Sequence, residues 1–282
     1  MRLTGIVGAF LAGCVCLIGI FAPLIAPYSP LAASEAERLQ PPSAQHLFGT
    51  DLVGRDVFSR VVYGSRISLI IAAATLLGVL VIGLIIGTTA GLSGGLIDEI
   101  LMRLTDIFLA FPALVLAMAI NAAMGPGLLP TIFAISLAWW PGYARMVRAQ
   151  VLTTRNNTYV EAAYAIGSPA WRVVVRHILP NCMSPILIQL SLDAGAVVVM
   201  AAGLSFIGLG VPPPTPEWGQ MVSEGEHYIL SHWWISTFPG LVMCVFVIGL
   251  NMVGDFLRDV SDPRRKRRTA KNRDKMLTKT IT

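Results

Sequence analysis

Residues 5–34, 67–97, 107–144, 177–192 and 227–254 of this chain contain not one Asp, Glu, Lys or Arg. Runs of that length far exceed a buried strand or an ordinary core helix. They suit helices that cross a bilayer, each of which needs about 20 apolar residues. Charged residues make up only 13% of the 282, against about 25% in a soluble domain. The fold class that follows is an all-α integral membrane protein.

The runs predict six transmembrane helices near 5–26, 67–91, 107–124, 128–146, 184–209 and 232–255. Gly125-Pro126-Gly127 separates the third from the fourth, a turn that a helix does not pass through. In the fourth, Pro130 and Pro141 bracket a short apolar stretch. A cleaved secretory signal is the alternative for the first run, with a cleavage site at Leu31-Ala32-Ala33-Ser34. A signal's apolar core spans about 7–15 residues, however, and Gly5–Ala26 is longer. Cys14, Cys16, Cys182 and Cys244 sit in or beside the apolar runs without metal-ligand spacing, and read as small hydrophobic residues.

Six spans put both termini on one side. If that side is the cytoplasm, cytoplasmic segments hold seventeen of the 21 basic residues, including Arg145, Arg148, Arg155, Arg172 and Arg176 of one loop. Arg38, Arg55, Arg60 and Arg66 fall in the first external loop, among four acids. The positive-inside rule therefore predicts cytoplasmic termini. The organisation expected is a first helix and external loop over 1–66, a membrane core over 67–257 with a cytoplasmic loop at 143–182, and a basic tail over 258–282. The run from Pro263 through Arg268 suits an anchor at anionic lipid headgroups; nucleic-acid binding is the competing reading of such a run, and the adjacent membrane helix favours lipid.

The loop itself reads as structured. Tyr159–Ile166 has helical composition and breaks at Gly167. Ser168 is suited to an N-cap and Pro169 to a first helical position, predicting a second helix from Ala170 that stops before Pro180. Ala162, Ala163 and Gly167 would offer a small-residue face that another backbone can approach closely. An amphipathic helix lying on the membrane, with Trp171 at the interface, is the competing reading.

Glu161-Ala162-Ala163, Gly167 four residues on, and Leu179-Pro180 resemble the EAA loop of permeases in binding-protein-dependent ATP-binding-cassette importers. His177 stands where the usual pattern has an aliphatic residue, and Arg176–Asn181 is similar to the variant in the dipeptide, oligopeptide and nickel branch. Gly49–Arg60, Leu204–Gly219 and Asn251–Arg264 resemble further blocks of that branch, in the same order, and of its C-type subunit in particular. The resemblance implies a type-I importer permease fold with no cofactor of its own. It implies, as partners, a second homologous permease, two cytoplasmic ATP-binding subunits and a periplasmic substrate-binding protein. The location implied is the bacterial inner membrane, with peptides as the usual cargo and nickel, glutathione or short oligosaccharides as alternatives. Glu161, Ala162, Ala163, Gly167, Leu179 and Pro180 would then form the element that contacts the ATPase.

No phosphate-cradling Gly-x-x-x-x-Gly-Lys-Ser/Thr segment occurs, and all four lysines lie in the tail, so ATP hydrolysis is expected on a separate polypeptide. Nothing suggests a catalytic nucleophile or a metal site. A stand-alone secondary carrier or channel is the rival reading; it would need paired ionisable groups within the spans. Asp193 is the conspicuous intramembrane acid, either facing a translocation path or sitting near enough to the cytoplasmic end to stay hydrated. Gly83, Gly87 and Gly91 recur every fourth residue in the second span, a spacing for close helix packing or, alternatively, for a hinge. External residues 211–231 offer a rim contact or a merely variable loop.

Overall fold

The computed structural model describes residues 2–261; the basic tail beyond them lies outside the described residues. The chain forms α1 (Arg2–Ile20), α2 (Ala22–Ile25), α3 (Val57–Ser93), α4 (Gly95–Leu109), α5 (Ala113–Met124) and α6 (Leu128–Arg155). After these come α7 (Thr158–Ala165), α8 (Ala170–Val173), α9 (Leu179–Phe206), α10 (Trp218–Gly225) and α11 (Trp234–Ser261). No strand forms among the described residues.

Side-by-side registers give the helix directions. Gly78, Gly83, Gly87 and Gly91 of α3 face Ser136, Tyr143, Val147 and Val151 of α6 in that order, so the two helices run parallel. The repeated glycines thus serve packing inside the chain: at Gly87 an added Cβ would meet the Ala144 carbonyl oxygen. Gly5 and Gly8 of α1 face Phe256 and Met252 of α11, an antiparallel pair. Gly19 meets Leu69 of α3, and Leu192 and Gly195 of α9 meet Gly254 and Val247 of α11, antiparallel again. α3, α6 and α11 therefore run one way and α1 and α9 the other. Between α3 and α6 the chain must return, which makes six passages among the described residues, counting α6, and leaves the outer ends of α1 and α11 on one side.

Among the described residues four helical stretches are long and apolar enough to cross a membrane: Leu3–Ile20, Val57–Ser93, Ala170–Phe206 and Trp234–Val260. The return passage departs from the straight span expected at 107–124. It is a pair, α4 and α5, bent by 90°. Pro112 lacks an N–H and disfavours helix in the residue before it, so α4 stops and α5 starts anew. The 12 residues of α5 reach about 18 Å, short of a bilayer core by themselves. α6 falls below the apolarity of the other passages. It crosses the same slab because it lies parallel to α3 over four successive contacts, and its face carrying Thr131, Ser136, Trp140 and Tyr143 is buried. A helix shielded by its neighbours does not need an apolar coat.

Two further boundaries differ from expectation. The boundary proposed at residue 66 falls inside α3, whose 37 residues extend about 55 Å. Its first turns project into a cap at the end of the bundle away from the α3 and α6 C-termini. There Asp56 caps α3 by accepting from Ser59 N at 2.7 Å, and Asp51 lies between Arg55 and the fully buried Arg60. Arg60 Nη2 approaches Glu224 Oε2 at 3.0 Å, and Trp218 and Trp234 donate their indole N–H groups to the carbonyls of Val61 and Thr50. Residues 49–60 and 217–234, distant in sequence, are one packed layer. Arg145, Arg148 and Arg155, expected in a loop, belong to α6. Arg148 grips Asp98 of α4 at 2.5 and 2.6 Å, Arg145 pairs with Asp106, and Arg155 donates to the Gly91 carbonyl at 2.7 Å.

Candidate coupling element and translocation face

At the end of the bundle where α3 and α6 finish, residues 156–179 fold into a compact corner. Gly167 adopts φ +79°, which only glycine enters without strain. Gly167 N–H donates to Tyr164 O at 2.9 Å and Ser168 N–H to Ala163 O at 3.1 Å, the paired closing bonds of a Schellman motif. Ser168 therefore ends α7 rather than capping the next helix; Pro169 takes the N-cap position and no side chain caps it.

The helix expected to stop before Pro180 does not stop. α8 passes through a π-turn at Val174–Ile178 directly into α9, and Leu179 N–H reaches back to Val174 O. A proline in a regular helix lacks a donor and clashes with the carbonyl four residues earlier, and the wider turn relieves both conflicts around Pro180. Ala170–Phe206 is consequently one rod of 37 residues, with its lower end on the corner and the rest in the membrane.

The corner has an inner and an outer face. Val160, Ala163, Val173 and Ile178 are buried against Tyr143, Val147 and Val151 of α6 and against Cys182 and Ile186 of α9. Ala163 therefore packs inward and does not belong to the exposed small-residue face, a correction to the sequence reading. Glu161, Ala162, Gly167 and Pro180 are exposed and Leu179 is half-buried. Beside them Ile166 is 82% and Trp171 66% exposed, and Tyr159, Tyr164 and Val175 also face outward. Arg172 lies over the Trp171 ring at 5.5 Å. An apolar and aromatic surface of this kind marks a contact with protein or lipid.

Asp193 projects from the middle of the same rod. Its carboxylate accepts from Tyr143 Oη at 2.7 Å and from Gln189 Nε2 at 3.0 Å. It borders a cavity of about 270 Å³ lined by Trp139, Gly142, Tyr143, Met146, Gln189 and Asp193. Trp139 is also a wall of an apolar groove of about 610 Å³ between α5, α9 and α11. Tyr143 packs at the level of Gly83, ten residues or about 15 Å from the end of α3. Asp193 thus lies deeper in the slab than the Arg148–Asp98 pair, and not at the charged end. Tyr143 and Gln189 were not among the residues singled out from the sequence. Gln189 could have been, since it stands one helical turn before Asp193.

The chain is thus a polytopic helical protein with parallel inner helices, an ordered corner at one end and a polar site in the slab. The chain belongs to the family of binding-protein-dependent transport system inner membrane components, whose pattern matches residues 80–267. It is 44% identical to a probable D,D-dipeptide transport system permease of Escherichia coli K12, covering 88% of this chain and 83% of that protein. It is 43% identical to a dipeptide transport system permease of Alkalihalophilus pseudofirmus, covering 93% and 86%. A nickel transport system permease of E. coli K12 is 41% identical, covering 93% and 94%. The solved MetNI methionine ABC transporter, in inward-facing conformations, contains a chain of the same fold, with a TM-score of 0.56 at 19% identity over 72% of this chain and 97% of that one. The protein is accordingly a multi-pass inner-membrane permease subunit, working with the other components of such a system.

Proposed function

We propose that this chain is the C-type permease of a peptide importer and forms the translocation path with a second homologous permease. On this reading residues 67–257 build the path, while the end of the bundle bearing both termini and the corner at 156–179 faces the cytoplasm. Two ATP-binding subunits dock there, and a periplasmic substrate-binding protein docks on the external cap. The observation that carries the reading is the unbroken rod from Ala170 to Phe206, which joins an exposed apolar corner to the segment bearing Asp193. A rigid element of that length passes a movement at one end to the other, whereas a flexible loop would absorb it. Glu161, Ala162, Gly167, Leu179 and Pro180 contribute to the docking surface, with Ile166 and Trp171 as its apolar centre, and Ala163 supports it from beneath.

Peptide cargo is supported by the two dipeptide relatives; the nickel relative supports the alternative. Cells lacking only this chain should lose ATP-dependent uptake of a radiolabelled dipeptide such as Ala-Phe and regain it on complementation. If nickel accumulation fell instead and dipeptide uptake were unchanged, the cargo assignment would be wrong while the permease reading stood.

A further inference from the structure

Asp193 places a carboxyl group in the membrane slab, and among the described residues no basic side chain pairs with it: Arg145 and Arg148 are held by Asp106 and Asp98. A carboxylate in that setting requires a counter-charge or water. Two of its roughly four lone-pair sites are filled by Tyr143 and Gln189, which orient the group and leave the remainder for a ligand. Trp139 forms a wall of the same cavity, and an indole face attracts cations. The adjoining apolar groove, which shares Trp139, has room for a hydrophobic body beside the polar pocket.

We infer that the Asp193–Tyr143–Gln189 pocket is a binding station for a primary ammonium group, received together with an apolar body that lies in the groove beyond Trp139. This rests on the reading of the Asp193 face as the translocation path. It adds a chemical class: the passing solute is an organic cation of small size, and an amino-terminal peptide is one member of that class. The station binds weakly, since the oriented donors keep the carboxylate solvated when the pocket is empty, and a solute in transit must leave again.

The test places a thiol in the pocket. Gly142 lines it, and a Cβ added there meets nothing within 4 Å. In the assembled importer, Gly142→Cys should react faster with aminoethyl methanethiosulfonate, which carries an ammonium, than with the anionic sulfonatoethyl reagent. The preference should be on the order of tenfold, the effect of one nearby carboxylate in a medium between water and protein. Asp193→Asn in the Gly142→Cys background should abolish the preference, Asp193→Glu should keep it, and Ala-Phe should slow the labelling. The importer without the introduced thiol corrects for Cys244, the exposed native cysteine. Equal rates with the two reagents, or an unreactive Gly142→Cys, would overturn the inference. A cation preference in an importer that carries no dipeptide would leave the station standing and defeat the peptide reading alone.

Discussion

Asp51→Ala will destabilise the protein by about 3 kcal/mol, the lower end of what removing one partner of a buried ion pair costs. Asp51 is 2% exposed and Arg60 fully buried, so the substitution strands a guanidinium that cannot reach water. Glu224 remains within ion-pair distance at 3.0 Å, which is why the loss should not reach the upper end. Thermal unfolding in detergent, followed by loss of the monodisperse species, measures it. Adding Arg60→Met to Asp51→Ala should recover part of the loss, because the stranded charge is then gone. An unchanged unfolding temperature in Asp51→Ala would mean that the cap is not held by this pair.

The same site has a pH signature. Burial works to raise the pKa of Asp51, but the Arg60 charge, the Arg55 N–H, the Arg55 charge and the Val53 N–H together hold it below the ordinary value of 3.8. The folded state therefore binds a proton there less readily than the unfolded chain. The stabilisation is complete above the unfolded value and is lost as pH falls below it through the folded one. Asp51→Asn should flatten that acid limb.

Gly167→Val will abolish transport while membrane insertion persists. With φ at +79°, the residue sits where a β-branched side chain is badly strained. An added Cβ meets nothing within 4 Å in this chain, so the effect cannot come from an internal clash. The Schellman corner must instead open, at a cost of about 1–3 kcal/mol or more for a non-glycine residue in that region, and the outer face of α7 then turns away from its partner. Asn tolerates this conformation, so Gly167→Asn should keep a larger share of uptake than Gly167→Val. Uptake normalised to the amount in the membrane, together with co-purification of the ATP-binding subunits, gives the measurement. Wild-type values in Gly167→Val would remove the corner from the mechanism.

The membrane class and most of the passages were legible because lipid forces apolar residues into long runs. What the runs hide is how a segment is covered. α6 has the weakest signal because α3 and α9 shield it, and the straight third span failed at Pro112, where a bend hides within an uninterrupted apolar run. The glycine corner was readable because Gly167 and Ser168-Pro169 interrupt a helical pattern; the positive φ that makes glycine necessary there shows only in the fold. The continuity of α8 with α9 was not, because Pro180 reads as a stop unless a π-turn accommodates it. The burial of Ala163 and the Arg60–Glu224 contact are tertiary facts: each depends on which helix arrives next to it, and no local pattern specifies that.

An ATP-binding subunit should sit on the outer face of the 156–179 corner. A photo-crosslinking amino acid at Ala162, and separately at Ile166, tests it in native membranes containing the whole importer. Both positions are exposed, so neither substitution disturbs the core. Covalent capture of the ATP-binding subunit is expected at both sites. Capture of lipid alone would contradict it and make the corner an amphipathic element resting on the bilayer.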